Sequence, residues 1–338
     1  MKPTVVFSKH YTRDTSLIIQ QFWLESLSQG VRRLGINIRQ PVGVDFVNNG
    51  VIEIWEDRIT IRQIKSGLVD FCRQEPQQAL ALLKRYQAGL KDLQSVWRRG
   101  YLENLNTFNQ YLAEVRSLVI GDLFIAFMGP EERVKGRVKA VALRLRSEDH
   151  FFAYNNRVMM ATLHRLFPHL KSYVNVLRLE DLDKPPTLAE CRRRFQKFIS
   201  APDGYHKIQS LAAYARSRGY ILAKDEPERI KGGLLGRTAM PGQAKGRAKL
   251  VFSVRDSFKV RRGDIIISPM TTPEMLLAMK KAAAIVTDEG GVICHAAIVA
   301  REMKKPCLIA TRTATKVFKD NELIMVDAGA GTVRRVGK

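Results

Sequence analysis

Apolar positions recur at steps of three and four residues through most of the first 220 residues, a spacing typical of helices with one buried face. The stripes predict helices over 16–34, 79–97, 105–119, 134–145, 157–167, 188–198 and 205–219. Gly100 lies between two of the longest stripes, so these two helices are expected to form an antiparallel hairpin. We interpret the stripes as core, because they are too short for an extended coiled coil.

One early segment has a different pattern. Two apolar runs, 42–47 and 51–55, flank the sequence Asn48-Asn49-Gly50. Because Asn-Gly readily takes positive φ, this segment predicts a β-hairpin. The first 223 residues are therefore expected to be mainly helical, with one small hairpin sheet.

Residues 224–235 interrupt the apolar pattern with charged residues, Pro227 and the pair Gly232-Gly233. We interpret them as a linker in which the two glycines form a hinge, although paired glycines also occur in rigid turns. The prediction is thus a helical spacer domain over 1–223, a hinge linker over 224–235 and a second domain over 236–338.

His295 is the candidate for chemistry in the second domain. A buried-strand run, 282–286, is followed by Gly290-Gly291, and His295 then opens a segment of good helix formers. Free backbone N–H groups collect at a helix start, and glycine lets the backbone approach a bound group closely. An imidazole placed there suits transfer of a phosphoryl group, but the local pattern also fits a histidine that is simply packed or solvated.

The segment around His295 resembles the phosphohistidine, or swivelling, domain of the PEP-utilising enzymes, which include PEP synthase and pyruvate phosphate dikinase. The residues in this family's order and spacing are Thr287, Gly290, Gly291, Cys294, His295, Ala296, Ala297, Ala300, Arg301 and Pro306. Residues 270–274 resemble the family's Thr-Pro segment, and 314–327 resemble its closing strands. The resemblance covers about residues 231–338, while the helical part only loosely resembles what precedes this domain in PEP-synthase-like proteins.

This resemblance implies an α+β protein whose C-terminal part is a swivelling β/β/α domain, with His295 carrying the phosphoryl group. It implies that Gly290, Gly291 and Cys294 position the phosphate; Cys294 also suits packing or the turn. The remaining catalytic assignments are Thr272, as the hydroxyl that fixes the imidazole tautomer, and Arg301. Read from the residues alone, Thr272 is a helix N-cap and Arg301 supports its own helix.

Two positions depart from the family, since Lys304 and Ala310 stand where it usually has glycine. Residues 1–230 show neither a Walker-type phosphate loop nor enough strands for a barrel. The chain is therefore expected to bind no cofactor alone. Mg²⁺ and ATP or PEP are implied at a partner, which would be a separate ATP-grasp or PEP/pyruvate-binding protein, and the substrate would be a small phosphorylated molecule.

Composition adds few constraints. No apolar run reaches the ~20 residues of a membrane span, and the first residues lack a signal-peptide core. The four cysteines lie far apart with no Cys-x-x-Cys pair, which indicates neither a metal site nor a disulfide framework. A reducing cytoplasm is the expected location.

The formal net charge is +23, and the excess is densest in residues 231–338, with 20 basic and 9 acidic residues. Such a charge favours polyanionic partners, although basic faces on the helices 134–145 and 188–198 also fit a solvated surface. Aromatic residues do not accompany these faces, so nucleic-acid binding is expected to be weak. The sequence predicts a phosphotransferase (kinase-type) component that is incomplete without a partner; the alternative is a non-enzymatic basic module that binds RNA or an acidic protein.

Overall fold

The computed structural model describes residues 5–13, 15–38, 42–48, 50–148, 150–201, 204–206, 210–223, 229–290 and 294–336. The chain forms two compact units. The first consists of residues 1–9 and 15–223, and the second of residues 10–14 and 224–338. In the part of the chain that the structure describes, no helix is both long and apolar enough to cross a membrane.

The helices of the first unit are α1 (Leu17–Glu25), α2 (Val31–Arg33), α3 (Arg58–Gln74), α4 (Pro76–Arg99), α5 (Leu105–Met128), α6 (Gly136–Ser147), α7 (Phe151–Leu166), α8 (Leu188–Gln196) and α9 (Leu211–Arg218). A π-helical turn, Ser26–Gly30, joins α1 to α2, and two 3-10 helices, Pro168–Val176 and Leu179–Asp181, precede α8. The strands are β1 (Val6–Arg13), β2 (Gly43–Asn48), β3 (Val51–Asp57), β4 (Lys197–Ala201), β5 (Gly204–His206) and β6 (Ile221–Leu222).

The predicted helical hairpin is present as α4 and α5. Gly100 ends α4 in the left-handed conformation, with φ 84°, and the Asn104 side chain caps α5. The two helices approach closely because each has a glycine where a side chain of the other packs. A Cβ on Gly89 would lie 2.5 Å from Leu118, and one on Gly121 would lie 2.6 Å from Tyr86.

The sheet of the first unit is larger than predicted. It has six strands in the order β5-β4-β2-β3-β1-β6, so the expectation of one small hairpin sheet is wrong. The expectation that this region is mainly helical agrees with its helices, which contain most of its residues. The hairpin itself is present, since β2 pairs antiparallel with β3, although Asn49 of its turn lies outside the described residues. Phe198 was assigned to a helix but lies in β4, because the helix ends at Gln196 and the chain then pairs with β2.

The strands of the second unit are β7 (Arg229–Ile230), β8 (Gly233–Leu235), β9 (Arg237–Met240), β10 (Gln243–Leu250), β11 (Ile265–Ser268), β12 (Ala284–Thr287), β13 (Cys307–Ile309), β14 (Leu323–Asp327) and β15 (Thr332–Arg335). Its helices are α10 (Val254–Ser257), α11 (Leu276–Lys281), α12 (His295–Glu302) and α13 (Ala314–Val317), with a 3-10 turn at Pro273–Met275. The mixed helix and strand content predicted for the chain is confirmed.

The second sheet runs β7-β8-β15-β14-β10-β11-β12-β13-β9. Its centre is four parallel strands, β10 to β13, joined in register in chain order. Antiparallel strands close both sides, with β14 next to β10 and β9 next to β13. Parallel neighbours in chain order require crossover segments, and α10, α11 and α12 fill this role.

Two apolar clusters lie on opposite faces of the parallel strands. In β11, Ile265 and Ile267 face one cluster, where strand residues such as Leu234 and Val333 pack. Ile266 faces the other cluster, which contains Met279 of α11 and Val299 of α12. Alternate side chains of a strand point to opposite faces, so β11 is buried on both sides.

The predicted hinge linker is partly wrong. Residues 229–235 form the hairpin β7–β8, in which Gly232 is a turn residue with φ 74°. Gly233 pairs with Arg334 of β15, and Leu234 is fully buried in the core. These residues belong to the sheet of the second unit, whereas 224–228 lie outside the described residues.

Lys304 and Ala310 stand where the family usually has glycine, and both adopt the left-handed backbone conformation that favours glycine. Lys304 has φ 51° and Ala310 has φ 57°. Lys304 follows the C-cap of α12, where the N–H groups of Lys304 and Lys305 donate to the carbonyls of Arg301 and Ala300. This is the Schellman ending that glycine usually occupies. A residue other than glycine in this conformation destabilises the folded chain by about 1–2 kcal/mol.

Candidate functional site

The carboxyl ends of β11, β12 and β13 lie side by side, and the segments that follow them are fastened together. The Asp288 N–H, just after β12, donates to the Ser268 carbonyl at the end of β11, at 3.0 Å. The Asp288 carbonyl in turn accepts from the Arg312 N–H, beyond the end of β13, at 2.8 Å. In open sheets of parallel strands this edge is where ligands bind.

His295 begins α12 at this edge. Its Nδ1 lies 2.9 Å from Oγ1 of Thr271, which belongs to the segment after β11. The imidazole is half-buried, and Thr271 is buried. The hydroxyl holds the ring by one nitrogen, so the orientation of the imidazole depends on a residue from the neighbouring strand end.

Gly290 and Cys294 shape the turn before His295. Gly290 has φ 119°, and a Cβ there would lie 2.8 Å from Sγ of Cys294, so both conformation and space require glycine. Burial raises the pKa of the Cys294 thiol, although the N–H groups of Ala297 and Ala296 oppose this shift. The thiol therefore stays protonated near neutral pH, and it packs at the turn. Gly291, the other predicted glycine, lies outside the described residues.

The hydroxyl that contacts the imidazole belongs to Thr271 and not to Thr272, to which the sequence analysis assigned this contact. Thr272 occupies the N-cap position before Pro273, but its side chain makes no capping hydrogen bond. Its buried Oγ1 has no hydrogen-bond partner among the described residues. Thr271 makes the imidazole contact instead, because successive side chains in extended backbone point in opposite directions.

Arg301 lies in the last turn of α12 and is exposed. Its Nε donates to the Ala239 carbonyl of β9 at 3.2 Å. This contact ties the helix to the edge strand of the sheet, in agreement with the supporting role considered from the sequence.

Asp288 is a site residue that sequence reasoning missed. Its side chain is 3% exposed and accepts from the Thr311 hydroxyl at 3.2 Å, from the Thr315 N–H at 3.2 Å and from the Thr315 hydroxyl. The carboxylate thus fastens the base of the His295 segment to the region after β13. The available signal was an acidic residue directly after a buried strand run.

The arrangement defines a class of protein: an α/β domain that presents a histidine at a helix start, beside the carboxyl ends of parallel strands. The histidine is held by a hydroxyl, which suits nucleophilic transfer of an anionic group. Among the described residues, no group of three or more His, Cys, Asp or Glu side chains is arranged to hold a metal ion.

Comparison with known families identifies this domain. Residues 260–331 match the family described as PEP-utilising enzyme, mobile domain, so this stretch is a mobile domain of that family. The resemblance inferred from the residues around His295 is therefore confirmed.

Relatives with this domain are much longer proteins. The chain is 53% identical over 100 residues to a probable phosphoenolpyruvate synthase of Archaeoglobus fulgidus, covering 30% of this chain and 13% of that protein. It is 48% identical over 157 residues to a probable phosphoenolpyruvate synthase of Methanothermobacter thermautotrophicus, covering 43% and 22%. It is 29% identical over 196 residues to the uncharacterized phosphotransferase YvkC of Bacillus subtilis, covering 56% and 21%.

Proposed function

We propose that this protein is a phosphotransfer component that carries a phosphoryl group on Nε2 of His295, between a nucleotide- or PEP-binding site and an acceptor site. The observation that carries the proposal is the 2.9 Å contact between Thr271 Oγ1 and His295 Nδ1. When the hydroxyl oxygen accepts from Nδ1–H, the neutral imidazole has its lone pair on Nε2. Nε2 is then the nucleophilic atom.

The transfer step follows from this tautomer. The Nε2 lone pair forms a bond to the phosphorus of the donor, and the bond from phosphorus to the donor's leaving oxygen breaks. The leaving oxygen keeps that electron pair, and the ring keeps the Nδ1 proton at the Thr271 hydroxyl. Transfer to an acceptor oxygen reverses the change and returns the N–P electron pair to Nε2. Such reactions depend mainly on positioning and charge stabilisation.

Other residues have supporting roles in this proposal. Gly290 lets the backbone approach the phosphoryl group, and Cys294 packs the turn. Arg301 holds α12 to β9 through the Ala239 carbonyl.

The relatives support phosphotransfer as the reaction and indicate where donor and acceptor would be found. Two are named as phosphoenolpyruvate synthases and one as a phosphotransferase. The match spans 13–22% of their lengths. We propose, as the resemblance implies, that a cytoplasmic partner supplies the donor and acceptor sites. Mg²⁺ with ATP or PEP would bind that partner, and the acceptor would be a small molecule.

The proposal is tested first with a small chemical donor, so that no partner is needed. We expect potassium phosphoramidate to phosphorylate the folded full-length chain at His295 faster than at His10, His150, His164, His169 or His206. The product should be acid-labile and alkali-stable, and mass spectrometry should place it on His295. His295→Ala should abolish this fast phase and leave the circular dichroism spectrum unchanged.

Thr271→Val tests the tautomer. A typical hydrogen bond contributes about 0.5–1.5 kcal/mol, so the rate at Nε2 should fall about two- to tenfold. Thr272→Val is the matched control for the loss of a neighbouring hydroxyl, and it should leave the rate of labelling at Nε2 close to that of the wild type. Equal labelling of all six histidines in the folded chain would contradict the proposal. Salt-sensitive RNA binding that survives His295→Ala would then favour the basic binding module.

A further inference from the structure

Arg312 stands at the same sheet edge as His295. It lies just beyond β13, and its N–H donates to the Asp288 carbonyl, at the start of the segment that leads to His295. The helix α12 begins with His295 at this edge and packs on the strands β12 and β13. Thr271 approaches from the β11 side. Three neighbouring strand ends thus supply Thr271, His295 and Arg312.

The backbone around Arg312 is strained. Arg312 has φ 67°, Ala310 has φ 57°, and the residue between them, Thr311, is fully buried. The Thr311 hydroxyl donates to the Thr287 carbonyl at 3.0 Å, and this contact fixes the turn. Glycine would occupy the Arg312 position without strain, whereas strained residues with large side chains cluster at functional sites.

Charge distinguishes this position from its surroundings. Among the described residues of the segments after β11, β12 and β13 (269–272, 288–290 and 310–313), Arg312 supplies the basic side chain, and it is exposed. The acids there are Asp288, whose carboxylate binds Thr311 and Thr315, and Glu289. Arginine is suited to a phosphoryl group, because its planar guanidinium donates two parallel hydrogen bonds.

We propose that Arg312 is a further catalytic residue, whose guanidinium binds the phosphoryl group on His295 and neutralises its charge during transfer. The inference rests on the proposed function and assigns to Arg312 the cationic role that the sequence suggested for Arg301. The strained turn keeps an arginine at the strand end next to the one that leads to His295, in place of a glycine that would relax the backbone.

The test compares two glycine substitutions. Arg312→Gly removes one positive charge and relieves left-handed strain while keeping the N–H that Asp288 accepts. Lys304→Gly does the same at the other end of β13, since Lys304 has φ 51° and is exposed. Both variants should unfold at a higher temperature than the wild type. Only Arg312→Gly should slow phosphorylation of His295 by phosphoramidate, by about tenfold or more.

A second readout is the phosphorylated protein itself. In a ³¹P NMR titration, the phosphoryl group on His295 should titrate at higher pH in Arg312→Gly than in the wild type, and at an unchanged pH in Lys304→Gly. Arg312→Lys should restore part of the rate. If the wild type is labelled and Arg312→Gly matches it in both rate and titration, Arg312 has no such role. If the wild type is not labelled at His295, the proposed function itself fails.

Discussion

Asp45 lies in β2 with its side chain completely buried, and neither of its carboxylate oxygens has a hydrogen-bond partner among the described residues. Burial raises the pKa of Asp45 well above its usual value, the nearby carboxylate of Glu56 raises it further, and Arg178 opposes this. Asp45 is therefore held in its neutral form, since a buried unpaired charge is far more costly than a buried carboxylic acid.

This shift predicts how the stability of the first unit depends on pH. The folded chain binds the Asp45 proton more tightly than the unfolded chain, whose carboxyl has a pKa of about 3.9. The stabilisation linked to that proton is complete below about pH 4 and is lost as the pH rises toward the folded pKa. Asp45→Asn, which cannot titrate, should therefore gain stability relative to the wild type between pH 5 and pH 8.

Thermal unfolding of both proteins across this range measures the difference. The exposed Asp70→Asn provides the control for the loss of a carboxyl group in the same unit. If the stability of Asp45→Asn relative to the wild type falls as the pH rises from 5 to 8, Asp45 is not a neutral buried acid.

Sequence reasoning found His295 because glycines, a strand run and a helix start are all local features. It chose Thr272, whereas Thr271 makes the contact, since that choice depends on which side chain faces a histidine more than twenty positions away. Arg312 gave no signal at all. The role proposed for it is argued from a positive φ and from the pairing of β12 with β13, which an amino-acid pattern does not encode.

Secondary-structure elements were predicted well where one amphipathic stripe determined them, as for α4 and α5. They were missed where pairing partners lie far apart in sequence. Strand β4, for example, pairs with β2, and its apolar residues continue the spacing of α8. Helix α3 was not predicted either, although Asp57 caps it by accepting from the Thr60 N–H.

Helix α8 shows how one element can mix solvent-exposed and structural charges. The sequence assigned Arg192, Arg193 and Arg194 to solvent, but Arg194 is 4% exposed. Its guanidinium pairs with Asp181 at 2.6 Å and with Glu190 at 3.4 Å. The interpretation of this basic face as largely solvated is therefore wrong for Arg194.

Substitution separates these two kinds of arginine. Arg194→Ala should lower the free energy of unfolding by about 1.5–3 kcal/mol, because it removes a buried guanidinium that donates to the half-buried carboxylates of Asp181 and Glu190. Arg193→Ala, which removes an exposed ion pair with Glu190, should lower it by less than about 1 kcal/mol. Urea unfolding of the two variants provides the comparison, and similar losses would contradict the buried role of Arg194.

The whole molecule divides near residue 223, and this boundary has a testable consequence. A fragment of residues 224–338 keeps all nine strands of the second sheet, whereas 236–338, the domain first expected from the sequence, lacks β7 and β8. The shorter fragment loses the buried Leu234 and the pairing of β8 with β15. Losing a core leucine alone costs about 2–5 kcal/mol.

We expect fragment 224–338 to unfold cooperatively and fragment 236–338 to be markedly less stable in the same thermal scan. Leu234→Ala in the longer fragment is the matched variant, and its stability should fall between the two. Equal melting temperatures for the two fragments would show that the hairpin is dispensable and would restore the boundary at residue 236.

The pairing of β1 with β6 joins Val6 to Ile221 and Phe7 to Leu222. Proteins are synthesised from the N-terminus, so β1 leaves the ribosome long before the strand that covers it. Until residue 222 has emerged, β1 is the outer strand of its sheet, with a row of unpaired N–H and C=O groups. A nascent or interrupted chain that stops short of β6 therefore exposes an edge on which a strand of another copy can pair, which makes it vulnerable to aggregation until β6 is made.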